Sequence, residues 1–238
     1  AVLAIGLMLW TASDYRLVFW LAVIPAFLAV AVLAFGVVET DGRPRARANP
    51  LSRVAMRSLP RAFWLVVTLG AALSFARVSE AFLILRATEN GLAAAFAPAV
   101  LAAMSLVYAA GAWPAGGLAD KLDRRALLVL AILSLALAEG VLALDRGLLM
   151  VFIGVALWGA HLALSQGLLA TLVADTAPEA LRATGFGLFN FAGALAVLAG
   201  NVVFGAVWTG WGASAAYGLA AAFALAITPL ALAYRKAA

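Results

Sequence analysis

The chain has 238 residues, of which 66% are hydrophobic and 11% charged, with a mean hydropathy of +1.08 and a net charge of +5. Soluble domains run about 45–50% apolar, so no single water-facing core hides this much apolar surface, and the composition reads as an all-α membrane protein. The lack of cysteine excludes disulfides, thiolate metal sites and cysteine nucleophiles; His161, the single histidine, has no acids at ligand spacing, and the arginines are scattered through short connectors, so neither a metal, another cofactor nor a nucleic-acid partner is expected.

A hydrocarbon core of about 30 Å needs roughly 20 apolar residues per crossing helix. The opening AVLAIGLMLW, residues 1–10, is too short at about 1.5 Å per residue. It also lacks the basic start and cleavage site of a signal peptide. It reads as the end of a helix truncated at the N-terminus. Seven complete spans are expected next, at 17–38, 63–85, 91–117, 125–143, 147–174, 183–207 and 212–234.

The connector between the first two complete spans is long, basic and rich in Pro, Gly and polar residues, as linkers are. It divides the chain into residues 1–38, a linker at 39–62, and six helices over 63–238. In its second half Leu51, Val54, Ala55 and Leu59 share one helical face, with Arg53, Arg57 and Arg61 on the other. That pattern suits either a solvated linker or a segment lying on anionic lipid.

Alternate loops divide the Lys and Arg residues twelve to three. The richer set comprises the linker, the turn at 121–125, Arg182 and the C-terminus; the poorer set is Arg16, Arg86 and Arg146. Basic loops stay on the cytoplasmic side, which puts the linker, the turn and the C-terminus in the cytoplasm. A long basic linker before six helices suggests a two-bundle transporter built from pseudo-repeats, with the N-terminal helices of the same protein as a necessary partner.

The turn at 116–125 reads GGLADKLDRR. It resembles the cytoplasmic-loop signature of the major facilitator superfamily, roughly G-x-L-a-D-r-x-G-r-r. Gly116, Leu118, Ala119, Asp120, Arg124 and Arg125 match, Lys121 keeps the basic character, and Asp123 stands where glycine is usual. DYRLVFWLAVIPAFLAV, ARVSEAFLILRA, VYAAGAWPAGGLAD and DTAPEALRATGFGLFNF resemble the sixth, seventh and eighth helices and the loop between the tenth and eleventh helices of the superfamily's bacterial efflux permeases.

The resemblance implies alternating-access transport of a small molecule, with no enzymatic activity. It further implies proton-coupled efflux by a multi-pass protein of the bacterial inner membrane. Asp120, Lys121, Arg124 and Arg125 would then latch one side of the transporter closed. Uptake of a small solute and a non-transporting sensor or scaffold are the alternatives on the same fold. An intramembrane protease pairing His161 with Ser165 is disfavoured, because no nucleophile loop accompanies a pair on one helix.

Charges within a span are costly and mark function. At about 1.5 Å per residue, Arg77 and Glu80 lie roughly 5 and 10 Å to the outer side of the middle, and His161 lies near it. Arg77 and Glu80, three apart, are expected to pair. The resemblance places their helix and that of His161 along the central cavity. Arg77, Glu80, Ser105, Tyr108, His161, Gln166 and Asn190 are therefore the candidate pathway residues, with Glu80 or His161 as proton carrier. Packed, structural roles for His161 and for the Arg77–Glu80 pair are the alternatives. Glu139 falls on a helix expected to be peripheral and is expected to reach the outer interface. Gly185, Gly187, Gly193, Ala196 and Gly200 give one helix a small surface suited to close packing, and Pro114 marks a bend.

Overall fold

The computed structural model describes residues 6, 7, 10, 11, 14–36, 52, 56–119 and 121–233, without the side chain of Tyr15. Most of residues 1–13, where a partial helix is expected, most of the linker, Asp120, Arg235 and Lys236 lie outside the described residues. Among those described, every regular element is helical and seven helical spans are long and apolar enough to cross a membrane.

Helix α1, Tyr15–Gly36, begins where the Asp14 carboxylate accepts hydrogen bonds from the amides of Arg16 at 3.0 Å and Leu17 at 3.2 Å. An N-cap of this kind satisfies donors that the first turn cannot. The helix carries Phe19, Trp20, Phe27 and Leu33 fully outward, as a lipid-facing helix does.

The remaining helices build one bundle. Helix α2, Arg61–Ala76, starts after Pro60, whose carbonyl accepts from Phe63 and Trp64. Helix α3 is Glu80–Glu89, α4 is Ala97–Ala119 after a short 3-10 turn, and α5 is Arg124–Ala143. Helix α6 is Leu148–Thr176, α7 is Arg182–Trp211 and α8 is Ala213–Ala233. Gly147 (φ 83°) starts α6 and Gly212 (φ 86°) ends α7, both in the left-handed region that favours glycine.

Packing pairs α5 with α6 and α8, α4 with α6, and α2 with α7. The core between them holds Phe63, Leu69, Ile132, Leu135, Trp158 and Phe204, each almost wholly buried. Two contacts are backbone-close. A Cβ on Gly159 of α6 would stand 2.5 Å from the Met104 carbonyl oxygen of α4, and one on Gly200 of α7 would stand 2.5 Å from that of Phe75 in α2. The small-surfaced face expected of α7 therefore packs through Gly200. Gly187 of the same stripe meets nothing and faces open space.

The span expected at 63–85 differs from a single helix. It comprises α2 and α3, interrupted at Arg77, Val78 and Ser79, where Arg77 leaves the helical region with ψ at 103°. A hydropathy window carries across such a break, because the residues on both sides remain apolar. Helices α4 and α7 leave most of their apolar surface uncovered by the rest of the described chain.

Candidate functional site

The candidate site is built around the interruption between α2 and α3. A helix that stops frees its last carbonyls, and the next one starts with unpaired amides. Here Ser79 caps α3, its hydroxyl accepting from the Ala81 amide at 3.4 Å, while the Arg77 amide still donates to Leu73 at 3.0 Å. The Val78 amide finds its acceptor elsewhere: Oε1 of Glu139, on α5, at 3.3 Å. On the other flank Gly200 lies against the Phe75 carbonyl. The joint is thus held by two helices distant in sequence.

Glu139 is fully buried, so the expectation that it reaches the outer interface is corrected: its carboxyl points into the bundle at the joint. The indole of Trp158 from α6 lies beside that carboxyl without hydrogen-bonding it. Glu139 Oε2, Trp158 Nε1 and the Tyr217 hydroxyl are buried and have no hydrogen-bond partner. The Arg77 guanidinium sits over the Trp158 ring, 5.8 Å from its centroid, within the range of a cation–π contact.

Arg77 also lines a pocket of about 410 Å³ between α2, α6 and α7. Ser74, Gln166, Asn190 and Gly193 contribute its polar and small lining, and Phe186 and Phe189 its aromatic wall. Gln166 and Asn190 are exposed, so the pocket is open toward the side where α7 is uncovered. A cation, two amides and a hydroxyl against aromatic walls can hold an amphipathic small molecule.

Three of the seven candidate pathway residues, Arg77, Gln166 and Asn190, therefore meet in one pocket. The other four do not join them. His161 is buried and turned toward α5, where Nδ1–H donates to the Ala131 carbonyl at 2.8 Å; Nε2 then accepts from the Ser165 hydroxyl at 3.4 Å. The ring is sealed between helices, which also leaves the His161 and Ser165 pair no approach for a substrate. Tyr108 lines a separate cleft of about 450 Å³, together with Gly116, Arg124 and Thr171. Ser105 and Glu80 are exposed, Glu80 in the first turn of α3. The expected Arg77–Glu80 ion pair is absent among the close ion pairs of the described residues, because Arg77 has left the helix and the i,i+3 spacing no longer applies.

The turn at 116–125 lies between α4 and α5. Asp123 occupies the N-cap position of α5 without a capping side-chain bond, and Leu118 and Lys121 are exposed. Arg124 reaches across to form an ion pair with Asp175 near the end of α6, clasping the two helix ends. Arg125 is half-buried beside it and makes interactions of its own.

Sequence reasoning missed the role of Arg86, which it placed among the outer loop residues. Arg86 is 3% exposed. Its Nε donates to the Leu142 carbonyl at the end of α5 at 3.1 Å, and Nη2 to the Ser214 hydroxyl of α8 at 3.2 Å. Glu89 and Asp145 lie at 3.7 and 3.5 Å, and Glu89 also accepts from the Trp208 indole at 3.1 Å. The sequence signal was available: an arginine and a glutamate three apart at a helix end, facing an Asp that follows another helix.

Comparison with known proteins agrees with this architecture. A family model described as Major Facilitator Superfamily matches residues 78–238. An uncharacterized MFS-type transporter of Methanocaldococcus jannaschii is 27% identical over 220 residues, covering 87% of this chain and 53% of the relative. The chain spans about half the length of that curated relative.

Proposed function

Because the chain belongs to the Major Facilitator Superfamily, whose members are transporters and not enzymes, we propose that it is the C-terminal half of a protein moving a small solute by alternating access. In this reading residues 63–238 form one bundle, residues 1–38 end the preceding one, and residues 39–62 link them on the cytoplasmic side. The observation that carries the reading is the pocket of Arg77, Gln166 and Asn190, built at a broken helix and open on one flank. Irregular backbone inside a membrane is tolerated where it is buried in protein or lines a cavity, and discontinuous helices commonly build transport sites.

The proton is the proposed coupling ion, and efflux from a bacterial cell the proposed direction, with the C-terminus cytoplasmic. The distribution of arginine and lysine supports this orientation. The clasp between Arg124 and Asp175 at the cytoplasmic turn supports a conformational role for Gly116, Leu118, Lys121, Arg124 and Arg125. Asp120, outside the described residues, is included in that role by its place in the motif.

Uptake by the same fold is a second reading, favoured by Arg77 as the charged group lining the pocket. A cation there suits an anionic solute. A negative interior already drives anions outward, at about 2.3 kcal/mol per charge per 100 mV, so proton coupling is needed most when an anion is taken in. Reconstitution of the full-length protein in liposomes with an imposed proton gradient tests both readings. Uphill solute flux with proton movement is expected, and its sign decides the direction. Ligand binding across a broad compound panel without any flux would replace transport by a sensor.

A further inference from the structure

Glu139 has no part in the pocket, yet it is the acid the structure buries most completely in the bundle and fastens to the pocket's edge. A carboxylate in an apolar interior is costly unless its charge is answered and its lone pairs are satisfied. At Glu139 that is only half done. Oε1 accepts the Val78 amide, whereas Oε2 has no hydrogen-bond partner and lies beside the equally unpartnered Trp158 indole. The opposing charge, Arg77, is held at a distance over the Trp158 ring.

We propose that Glu139 is a proton-binding site, and that its occupancy sets how firmly the α2–α3 joint holds Arg77 over the Trp158 ring at the pocket's edge. When the carboxylate is ionised, its charge draws the Val78 amide, the Trp158 indole and the Arg77 guanidinium toward one point. When a proton from water forms the O–H bond on Oε2, that charge is lost and the acceptor facing the indole becomes a donor. All three attractions weaken together. Val78 is the residue next to Arg77, so a change in the hold on its amide acts on the backbone that carries the guanidinium. The proton leaves by the reverse step, returning to water and restoring the carboxylate.

The surrounding charges are few. From the joint comes Arg77, from α3 Glu80, Arg86 and Glu89, from α8 Tyr217, and from α6 His161, whose Nδ1–H is committed to Ala131. Arg86 is engaged with Leu142, Ser214, Glu89 and Asp145 at the outer end. Among these groups Arg77 is the cation with freedom to respond. The inference deepens the proton-coupled reading and rests on it for the use made of the switch; the proton site itself can be measured without solute.

The test uses pH-difference infrared spectra of the full-length protein in lipid, together with thiol labelling at Ser74→Cys, a pocket position. The 238-residue chain has no cysteine, and any elsewhere in the full-length protein is replaced first. A protonated-carboxyl band that appears on acidification is expected in the parent protein, is lost in Glu139→Gln, and survives in Glu80→Gln and His161→Gln. Labelling at position 74, divided by that at Ser105→Cys, an exposed position outside the pocket, to remove the thiol's own ionisation, is expected to change with pH by up to about tenfold per unit, the factor by which one unit changes the protonation ratio of a lone group. In Glu139→Gln it is expected to become flat. Should Glu139→Gln not fold, Glu139→Asp must shift the band. An unchanged band in whichever variant folds overturns the proposal. Uphill proton-driven transport alongside that unchanged band would leave the transporter reading standing, and a moving band without transport would do the reverse.

Discussion

The bundle holds its helices in two contrasting ways at its two ends. At the Arg86 end and the joint, charged groups are buried and fastened to backbone: Arg86 to the last carbonyl region of α5, Glu139 to the Val78 amide. At the turn of residues 116–125 the clasp is an ion pair with Asp175 nearly half exposed and Arg124 about one-third exposed. Buried charge-assisted bonds to backbone are worth about 1.5–3 kcal/mol each, while exposed ion pairs are worth about 0–1. The first arrangement suits a fixed hinge point and the second a contact that is made and broken in a cycle.

The largest effect is expected at Arg86. Arg86→Ala removes two bonds and should lower the thermal stability of the purified full-length protein by about 3 kcal/mol, read as a fall in melting temperature in detergent. A loss as small as that of an exposed arginine would place the Arg86 end in the same class as the turn at 116–125. Next come two glycines. Gly200→Ala drives a Cβ into the Phe75 carbonyl beside the joint and should cost about 1–3 kcal/mol, the range for overpacking. Gly116→Ala at the turn meets open space and should stay within about 0.5 kcal/mol, as exposed substitutions do. Equal costs in a melting series would show that the turn is packed as tightly as the joint.

The smallest effect on stability is expected at Arg124. Arg124→Ala should cost about 1 kcal/mol or less. The same energy shifts a two-state population by up to about fivefold, so the change should appear in inward-to-outward populations measured by site-directed crosslinking. A large stability loss with unchanged populations would make the clasp a structural strut.

The spans were legible because a long apolar run needs no partner to declare itself. The expected 125–143 and 212–234 agree with Arg124–Ala143 and Ala213–Ala233 to within a residue or so. The joint was not legible. Its sequence, ARVSEA, holds neither glycine nor proline, and the acceptor that accompanies the break is Glu139, 61 residues away. Depth along a helix was also readable where facing was not. His161 and Gln166 are similar in depth, yet five residues turn a helix by about 140°, so the two point to different neighbours. Gln166 reaches the pocket with Arg77 and Asn190, and His161 reaches the Ala131 carbonyl. Pairing was lost for a related reason: the Arg77 and Glu80 spacing implied contact only while the helix ran through both.

The contrast between a fastened joint and a releasable turn rests on Glu139 holding Val78. Hydrogen exchange of the peptide covering residues 74–82, followed by mass spectrometry in the full-length protein, measures that hold directly. Faster exchange there in Glu139→Ala, with exchange in Arg124→Ala equal to the parent, is the result expected. Unchanged protection of residues 74–82 in Glu139→Ala, in a protein that remains folded elsewhere, would contradict it.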